Sequence, residues 1–159
     1  MTPDLAQSLA RSLMDAHHLR EWSFAFNRRK RSLGVCYYER KRIELSVYYI
    51  ARNEEPSIRD TILHEIAHAL AGRRAGHGAA WKAICRALGA TPQRCDSQAA
   101  MPAGRWHATC PSCQRVYTRH RRPQRHATYA CRKCGRERGP IVFMLRLACN
   151  QGGAASAPA

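Results

Sequence analysis

Two absences in the sequence limit where the protein can act. No segment approaches the run of about eighteen apolar residues that a transmembrane helix needs. The first twenty residues, which include Asp4, Arg11 and Asp15, contain no uninterrupted apolar stretch of the kind found in signal peptides. A disulfide framework is also not indicated, because four of the eight cysteines form two C-x-x-C pairs and the others are scattered. We therefore expect a cytoplasmic protein that does not contact membranes.

Acidic residues are scarce as well. The chain has 11 Asp and Glu against 27 Lys and Arg, which gives a formal net charge of +16 and a pI near 10.3. This imbalance favours contact with polyanions, and nucleic acid is the first candidate. The length allows one core of ordinary size with a small metal-stabilised module, but not two full domains. We expect a monomer that associates with nucleic acid.

Hydrophobic periodicity predicts an α+β fold for the first part of the chain. Leucines and Met14 form a helical stripe within residues 4–19. Three strands are predicted, at residues 22–26, 33–38 and 42–50. The basic runs between them, at 27–32 and 39–42, are typical of hairpin turns and predict a short sheet of antiparallel type. Solvated turns and nucleic-acid contacts explain their charge equally well.

Two more helices follow these strands. Ser57 and Asp60 resemble a capping box, which predicts a helix at 57–71. A second helix is predicted at 79–89, ending at a glycine. Its apolar face consists of Trp81, Ile84, Cys85 and Leu88. We expect the tryptophan to pack this helix onto the preceding one rather than to contact a substrate.

The first of these helices contains the sequence HEIAH. His64 and His68 lie one helical turn apart, so both imidazoles can reach one ion, and Glu65 projects beside them. Both histidines fall outside the apolar arc of the helix, so they either face solvent or line a polar cleft. H-E-x-x-H is the pattern of zinc hydrolases, in which the metal activates water and the glutamate transfers its proton.

A catalytic zinc ion needs a third protein ligand, and further absences narrow the choice. Metzincin spacing requires glycine at position 71 and histidine at position 74, where this chain has Ala71 and Arg74. No acidic residue occurs between the motif and Asp96, so a nearby carboxylate ligand is missing. His77 is therefore the nearest credible third ligand, with Asp96 or Cys95 next in line.

The two cysteine pairs predict a second metal site. Their spacing, C-x2-C-x17-C-x2-C, is that of a structural four-cysteine zinc ribbon, formed by Cys110, Cys113, Cys131 and Cys134. A redox role is disfavoured because no thioredoxin-like βαβ pattern surrounds either pair. A module of this size buries little apolar surface. We therefore expect its zinc ion to supply most of its folding free energy. Strands are predicted at 105–109, 115–119, 127–131 and 141–147.

The region around these cysteines is strongly basic, with eleven basic residues against Glu137 alone between positions 105 and 146. Guanidinium groups suit phosphates, and aromatic rings offer faces on which unpaired bases stack. Solvated loop charge is the alternative. The predicted nucleic-acid contacts are Arg115, Arg119, Arg121, Arg122, Arg125, Tyr117 and Tyr129. We expect DNA binding that is independent of base sequence.

HEIAH followed by HGAAW, with strands before it and a double C-x-x-C ribbon after it, resembles the SprT-like family of zinc metallopeptidases over residues 20–148. The resemblance implies a minigluzincin-like core with His64, His68 and His77 as zinc ligands and Glu65 as catalytic base. It also implies cleavage of proteins bound or crosslinked to DNA. Two zinc ions are then expected, one catalytic and one structural. A non-catalytic DNA-binding protein with a structural HExxH site is the alternative.

These expectations divide the chain into four segments. Residues 1–89 form the metallopeptidase core, and the turn-rich residues 90–105 form a connector. Residues 106–148 form the zinc ribbon. The final residues, 149–159, have little apolar content and are expected to be disordered. The interval from His68 to His77 is shorter than in several family members, which implies a shortened loop beside the substrate cleft.

Overall fold

The computed structural model describes residues 1–94, 96 and 98–146, and the chain divides into two compact units. The first unit is Met1–Pro102 and the second is Ala103–Ala159. Each has its own apolar core, and the mixture of helices with small sheets confirms the α+β class. Among the described residues, no helix is both long and apolar enough to span a membrane. The predicted tail at 149–159 lies outside this description.

The first helix, α1 (Pro3–Ala16), begins where the Thr2 side chain accepts a hydrogen bond from the Leu5 backbone N–H at 3.4 Å. Its buried residues lie four apart on one face and are Ala6, Ala10 and Met14. The buried face is therefore displaced from the predicted leucine stripe, and Leu5 is 60% exposed. Small alanines on the inner face allow the helix backbone to approach its neighbours closely.

A mixed three-stranded sheet follows, made of β1 (Ser23–Asn27), β2 (Gly34–Tyr37) and β3 (Arg42–Ser46) in the order β1-β3-β2. The predicted antiparallel hairpin holds for β2 and β3, whereas β1 runs parallel to β3. Residues 27–32 therefore join two strands that are not neighbours. The third strand takes the central position because its residues from 43 to 46 are buried on both faces.

The strand predicted at 42–50 is wrong beyond Ser46, where the chain enters a short helix, α2 (Val47–Ile50). Helical geometry turns Tyr49 into the core, where it is fully buried. Its hydroxyl donates a hydrogen bond to the Ser57 carbonyl at 2.8 Å. The hydroxyl therefore has a partner although the ring is buried away from water.

The motif helix, α3 (Glu55–Ala71), starts two residues earlier than predicted, with a proline in its first turn. The predicted capping box is wrong, because Ser57 lies inside the helix. Asp60 instead accepts a hydrogen bond from the Thr91 backbone N–H at 2.7 Å, which ties a later segment of the chain to this helix. The helix ends at Gly72, as predicted, where φ is 79°.

The packing helix, α4 (Ala79–Ala87), lies close to its predicted bounds and buries Trp81 and Cys85 against the first core. A single 3-10 turn, Arg73–Ala75, connects α3 to it. The segment predicted as a connector, 90–105, continues along the first core for part of its length. Its residues in contact with that core are Ala90, Ala99 and Met101.

The described part of the second unit contains two small sheets and a short helix. Its elements are β4 (Trp106–Thr109), β5 (Val116–Arg119), β6 (Tyr129–Cys131), α5 (Gly135–Arg138), β7 (Gly139–Ile141) and β8 (Met144–Leu145). One sheet has the order β5-β4-β8, and the other pairs β6 with β7. The strand predicted at 141–147 is broken within the described residues, because its two parts join different sheets and Phe143 between them packs against Tyr129.

Candidate metal centre and active site

An open cleft in the first unit is lined by β2, by α3 and by the segment after α4. The predicted metal ligands and the predicted catalytic base all line this cleft. Helix α3 supplies His64, Glu65 and His68, and the loop before α4 supplies His77. The histidines therefore line a polar cleft, which was one of the two orientations that the helical pattern left open.

The three imidazoles converge on one point, and we call them the histidine cluster. Nε2 of His68 lies 3.1 Å from Nε2 of His77, which lies 3.3 Å from Nε2 of His64. A single Nε2 carries at most one proton, so His77 cannot donate to both neighbours, and a cation can satisfy all three lone pairs. Tetrahedral zinc with nitrogen ligands at about 2.0–2.1 Å places those nitrogens about 3.3 Å apart. The spacing fits zinc.

The backbone after α3 explains how a residue nine positions away reaches the cluster. Gly72 and Gly76 both adopt positive φ values, 79° and 50°, which glycine tolerates and which turn the chain back over the helix. Burial lowers the pKa of His64 and of His68 to about 4, and it also lowers the pKa of His77. The rings are therefore neutral near pH 7, which is the form that binds a metal.

Glu65 lies beside the cluster and is only 7% exposed. Burial raises the pKa of its carboxyl to about 8. A divalent cation at the histidine cluster would favour the charged carboxylate and offset part of that effect. The carboxyl is thus held, buried, at the wall of the cleft beside the histidine cluster.

Trp81 contacts every member of the histidine cluster. Its ring centroid lies 4.7 Å from that of His64, 5.1 Å from that of His68 and 4.6 Å from that of His77. The side chain is fully buried in the first core, so the predicted packing of α4 onto α3 through Trp81 is confirmed. It forms the apolar backing of the cluster.

The four paired cysteines come together in the second unit, with their sulfur atoms all within 4.8 Å of one another. Sγ of Cys113 lies 3.6 Å from Sγ of Cys131. Tetrahedral zinc with sulfur ligands at about 2.3 Å separates the sulfurs by about 3.8 Å, so this set also fits zinc. The Tyr117 hydroxyl donates to Cys131 Sγ at 3.1 Å, and this bond is the main cause that lowers the pKa of that thiol to about 6.

Comparison with known proteins agrees with both sites. Residues 2–101 match the SprT-like family, and residues 104–141 match the SprT-like zinc ribbon domain. The chain belongs to the SprT-like family. Protein SprT of Salmonella newport (strain SL254) and Protein SprT of Salmonella heidelberg (strain SL476) are each 30% identical to it over 128 residues. Those residues cover 74% of this chain and 78% of each relative.

In this SprT-like chain Asp96, one of the alternative third ligands, does not join the histidine cluster. Asp96 lines the cleft but is not among the ligand atoms that converge in the described structure. Cys95 lies outside the described residues. His77 is thus the third group that the fold brings to His64 and His68.

The predicted nucleic-acid residues of the ribbon have different surroundings. The five arginines are exposed, and the Arg119 guanidinium lies 4.7 Å from the centroid of the half-buried Tyr129 ring. Tyr117 differs, since its hydroxyl points at a cysteine ligand and its ring packs on the ribbon core. The exposed arginines are Arg115, Arg119, Arg121, Arg122 and Arg125.

Two residues at these sites were missed in the sequence. Phe143 packs edge-on against Tyr129, with ring centroids 5.3 Å apart, and also lies under Arg119. Nothing in its apolar surroundings distinguishes it from an ordinary strand residue. Gly34 on β2 approaches the Glu65 side chain closely. A glycine inside a strand often marks such an approach, so this signal was present.

Proposed function

We propose that this chain is a zinc-dependent endopeptidase that cleaves proteins bound or crosslinked to DNA, and that its basic ribbon binds the DNA. The proposal depends chiefly on one observation. Three neutral imidazoles at zinc spacing and a buried carboxyl lie together in a single open cleft. Membership of the SprT-like family supports it.

The residues would divide the chemistry as follows. His64, His68 and His77 would hold the zinc, which supplies a Lewis acid that acidifies water and polarises a peptide carbonyl. Glu65 takes the proton of the attacking water and returns it to the leaving amine. The carboxyl is buried in the cleft wall, so the proton transfer is shielded from bulk solvent.

The ribbon supports the nucleic-acid part of the proposal through charge. Its exposed arginines offer forked donors to phosphates, and Tyr129 with Phe143 offers aromatic surface to unpaired bases. None of these contacts selects a base edge, so the proposed binding is independent of sequence and weakens as salt increases. A second zinc, held by the four cysteines, would keep the ribbon folded.

The experiment is cleavage of a basic protein, with and without DNA, by wild type and by Glu65→Gln. The proposal expects DNA-dependent cleavage by the wild type and a loss of about 10²- to 10⁴-fold in the variant, the usual contribution of a general base. Zinc content and DNA affinity should be the same in both proteins. Equal activity in both would show that Glu65 is not the base. Absence of cleavage by either would favour a non-catalytic DNA-binding zinc protein.

A further inference from the structure

The first unit carries a group of basic side chains that the proposed chemistry does not use. All five are exposed, and within the described part of the chain none of them forms an ion pair. We call them the loop surface, because four belong to the loop between β1 and β2. The loop surface consists of Arg28, Arg29, Lys30, Arg31 and Arg40.

The acidic residues nearby do not balance this charge. Apart from the buried Glu65 in the wall of the cleft, each described acidic residue on or beside the sheet is paired with a base outside the loop surface, so its charge is not free to neutralise the loop. The positive charge therefore faces solvent without a counter-charge from the sheet. The pairs are Glu39 with Arg73, Glu44 with Arg42, and Glu21 with Lys41.

The loop is held in place by hydrogen bonds centred on Arg29. Its backbone N–H donates to Asn27 Oδ1 at 3.0 Å, and its carbonyl accepts from the Ser46 hydroxyl at 2.5 Å. Its guanidinium donates to the Tyr37 hydroxyl at 2.8 Å. A loop fixed in this way loses little further conformational entropy when it binds a partner.

Four of the five cations are consecutive in the chain and the fifth, Arg40, shares an aromatic contact with Arg29, so we describe them as one strip. The Tyr37 ring lies between two of them, with the Cζ atoms of Arg29 and Arg40 each 5.9 Å from its centroid. Lys30 lies over a second tyrosine ring, with its Nζ 5.2 Å from the centroid. Arg31 lines the cleft that contains the histidine cluster. The strip thus runs from the β2–β3 turn to the lip of the cleft.

We propose that the loop surface binds the phosphate backbone of nucleic acid next to the cleft. Guanidinium forks match phosphate oxygens, and a strip of like charge suits a polyanion. An acidic protein segment fits less well, because protein partners draw most of their affinity from apolar anchors. The exposed large apolar residues described in the first unit are Leu5 and Leu70, and neither belongs to the strip.

This inference rests on the proposed nucleic-acid function and adds a second contact to it. Nucleic acid on the loop surface passes the lip of the cleft at Arg31. A protein bound or crosslinked to that nucleic acid is then held near Glu65.

The test measures binding of a labelled duplex by fluorescence anisotropy across a series of salt concentrations, using the zinc-loaded full chain. The loop variant is Arg28→Ala, Lys30→Ala and Arg40→Ala, which leaves the hydrogen-bonded Arg29 intact. We expect its log-log salt slope to fall by about 2 to 3, at about 0.9 per phosphate contact on duplex DNA. If the triple variant melts early, the single substitutions should each lower the slope by about one.

A matched control removes the same charge elsewhere on the first unit, with Arg20→Ala, Lys82→Ala and Arg86→Ala. These three side chains are exposed and lie in the turn after α1 and on α4. The control should change the slope much less than the loop variant does. Equal changes of the salt slope in the control and the loop variant would show that binding depends only on net charge, and would overturn the proposed site.

A ribbon variant separates this inference from the proposed function. If Arg119→Ala, Arg121→Ala and Arg122→Ala remove all salt-dependent binding while the loop variant binds as wild type does, the loop surface is not a nucleic-acid site. If only the loop variant loses slope, the inference stands and the ribbon's proposed role fails. If the loop variant loses more affinity for a glutamate-rich peptide than for DNA, the loop surface would be assigned to acidic proteins instead.

Discussion

Gly34 and Glu65 lie in such close contact that position 34 has no room for a side chain. A Cβ placed there would lie 2.7 Å from Oε1 and 2.8 Å from Cγ of the glutamate. The backbone of strand β2 at Gly34 therefore packs directly against the buried Glu65 side chain, which extends from α3. This contact restricts the position of the Glu65 carboxyl, the proposed base.

Replacing Gly34 with alanine should displace the Glu65 carboxylate while leaving the histidine cluster in place. A displacement of about 1 Å in a catalytic group can cost about 10²-fold in rate, so we expect a loss of that order in kcat with little change in KM. Zinc content serves as the control, because the three atoms nearest to a Cβ at position 34 all belong to Glu65 and none to a histidine. Wild-type kcat in Gly34→Ala would show that the carboxylate does not need this position.

Trp81 should tune the affinity of the histidine cluster for zinc. Its ring backs all three imidazoles, and groups in that outer position are worth about 10- to 100-fold in metal affinity. We expect a loss in that range at this site in Trp81→Leu, measured by competition with a chromophoric chelator. The ribbon site in the same molecule is the internal control. Unchanged affinity at the histidine cluster would mean that Trp81 only packs α4.

Tyr117 should act on the ribbon zinc through its hydroxyl rather than on DNA through its ring. The hydroxyl donates to Cys131 Sγ and accepts from the Arg132 backbone N–H at 3.2 Å. Tyr117→Phe keeps the ring, so we expect weaker ribbon zinc binding by about 10-fold or more and little change in DNA affinity of the zinc-saturated protein. Unchanged zinc affinity, or DNA affinity that falls with zinc bound, would contradict this assignment.

The Cys85 thiol should resist alkylation in the folded protein. Burial raises its pKa to about 11, and the thiolate is the reactive form, so little of it exists at neutral pH. Reactivity should rise as pH approaches that value and should be restored at pH 8 when the chain is unfolded in denaturant. Site-resolved mass spectrometry of alkylated peptides measures both. Rapid labelling of folded Cys85 at neutral pH would contradict its buried position.

Much of the candidate site could be predicted because its spacing is local. His64 and His68 are one helical turn apart, and the cysteines of each pair are separated by only two residues, so the sequence itself brings them together. His77 was identified by elimination of other ligands and by the family resemblance, not by local spacing. Its approach depends on two glycine turns whose combined direction the sequence does not state.

The parts that could not be predicted depend on tertiary contacts. The parallel pairing of β1 with β3 places one strand between two others, and no local pattern distinguishes this from a simple meander. The residues after Ser46 have β-branched and aromatic side chains, but burial of Tyr49 against α3 favours a helical turn over a strand. Assignment of the first unit to the minigluzincin type stays a prediction.

The histidine cluster is expected to hold one zinc ion and the ribbon cysteines another. The direct measurement is zinc per chain by native mass spectrometry, for wild type and for His77→Ala. We predict two zinc ions in the wild type and one in the variant, with the remaining ion lost when Cys113 is also replaced by serine. Two zinc ions retained in His77→Ala would contradict the three-histidine site.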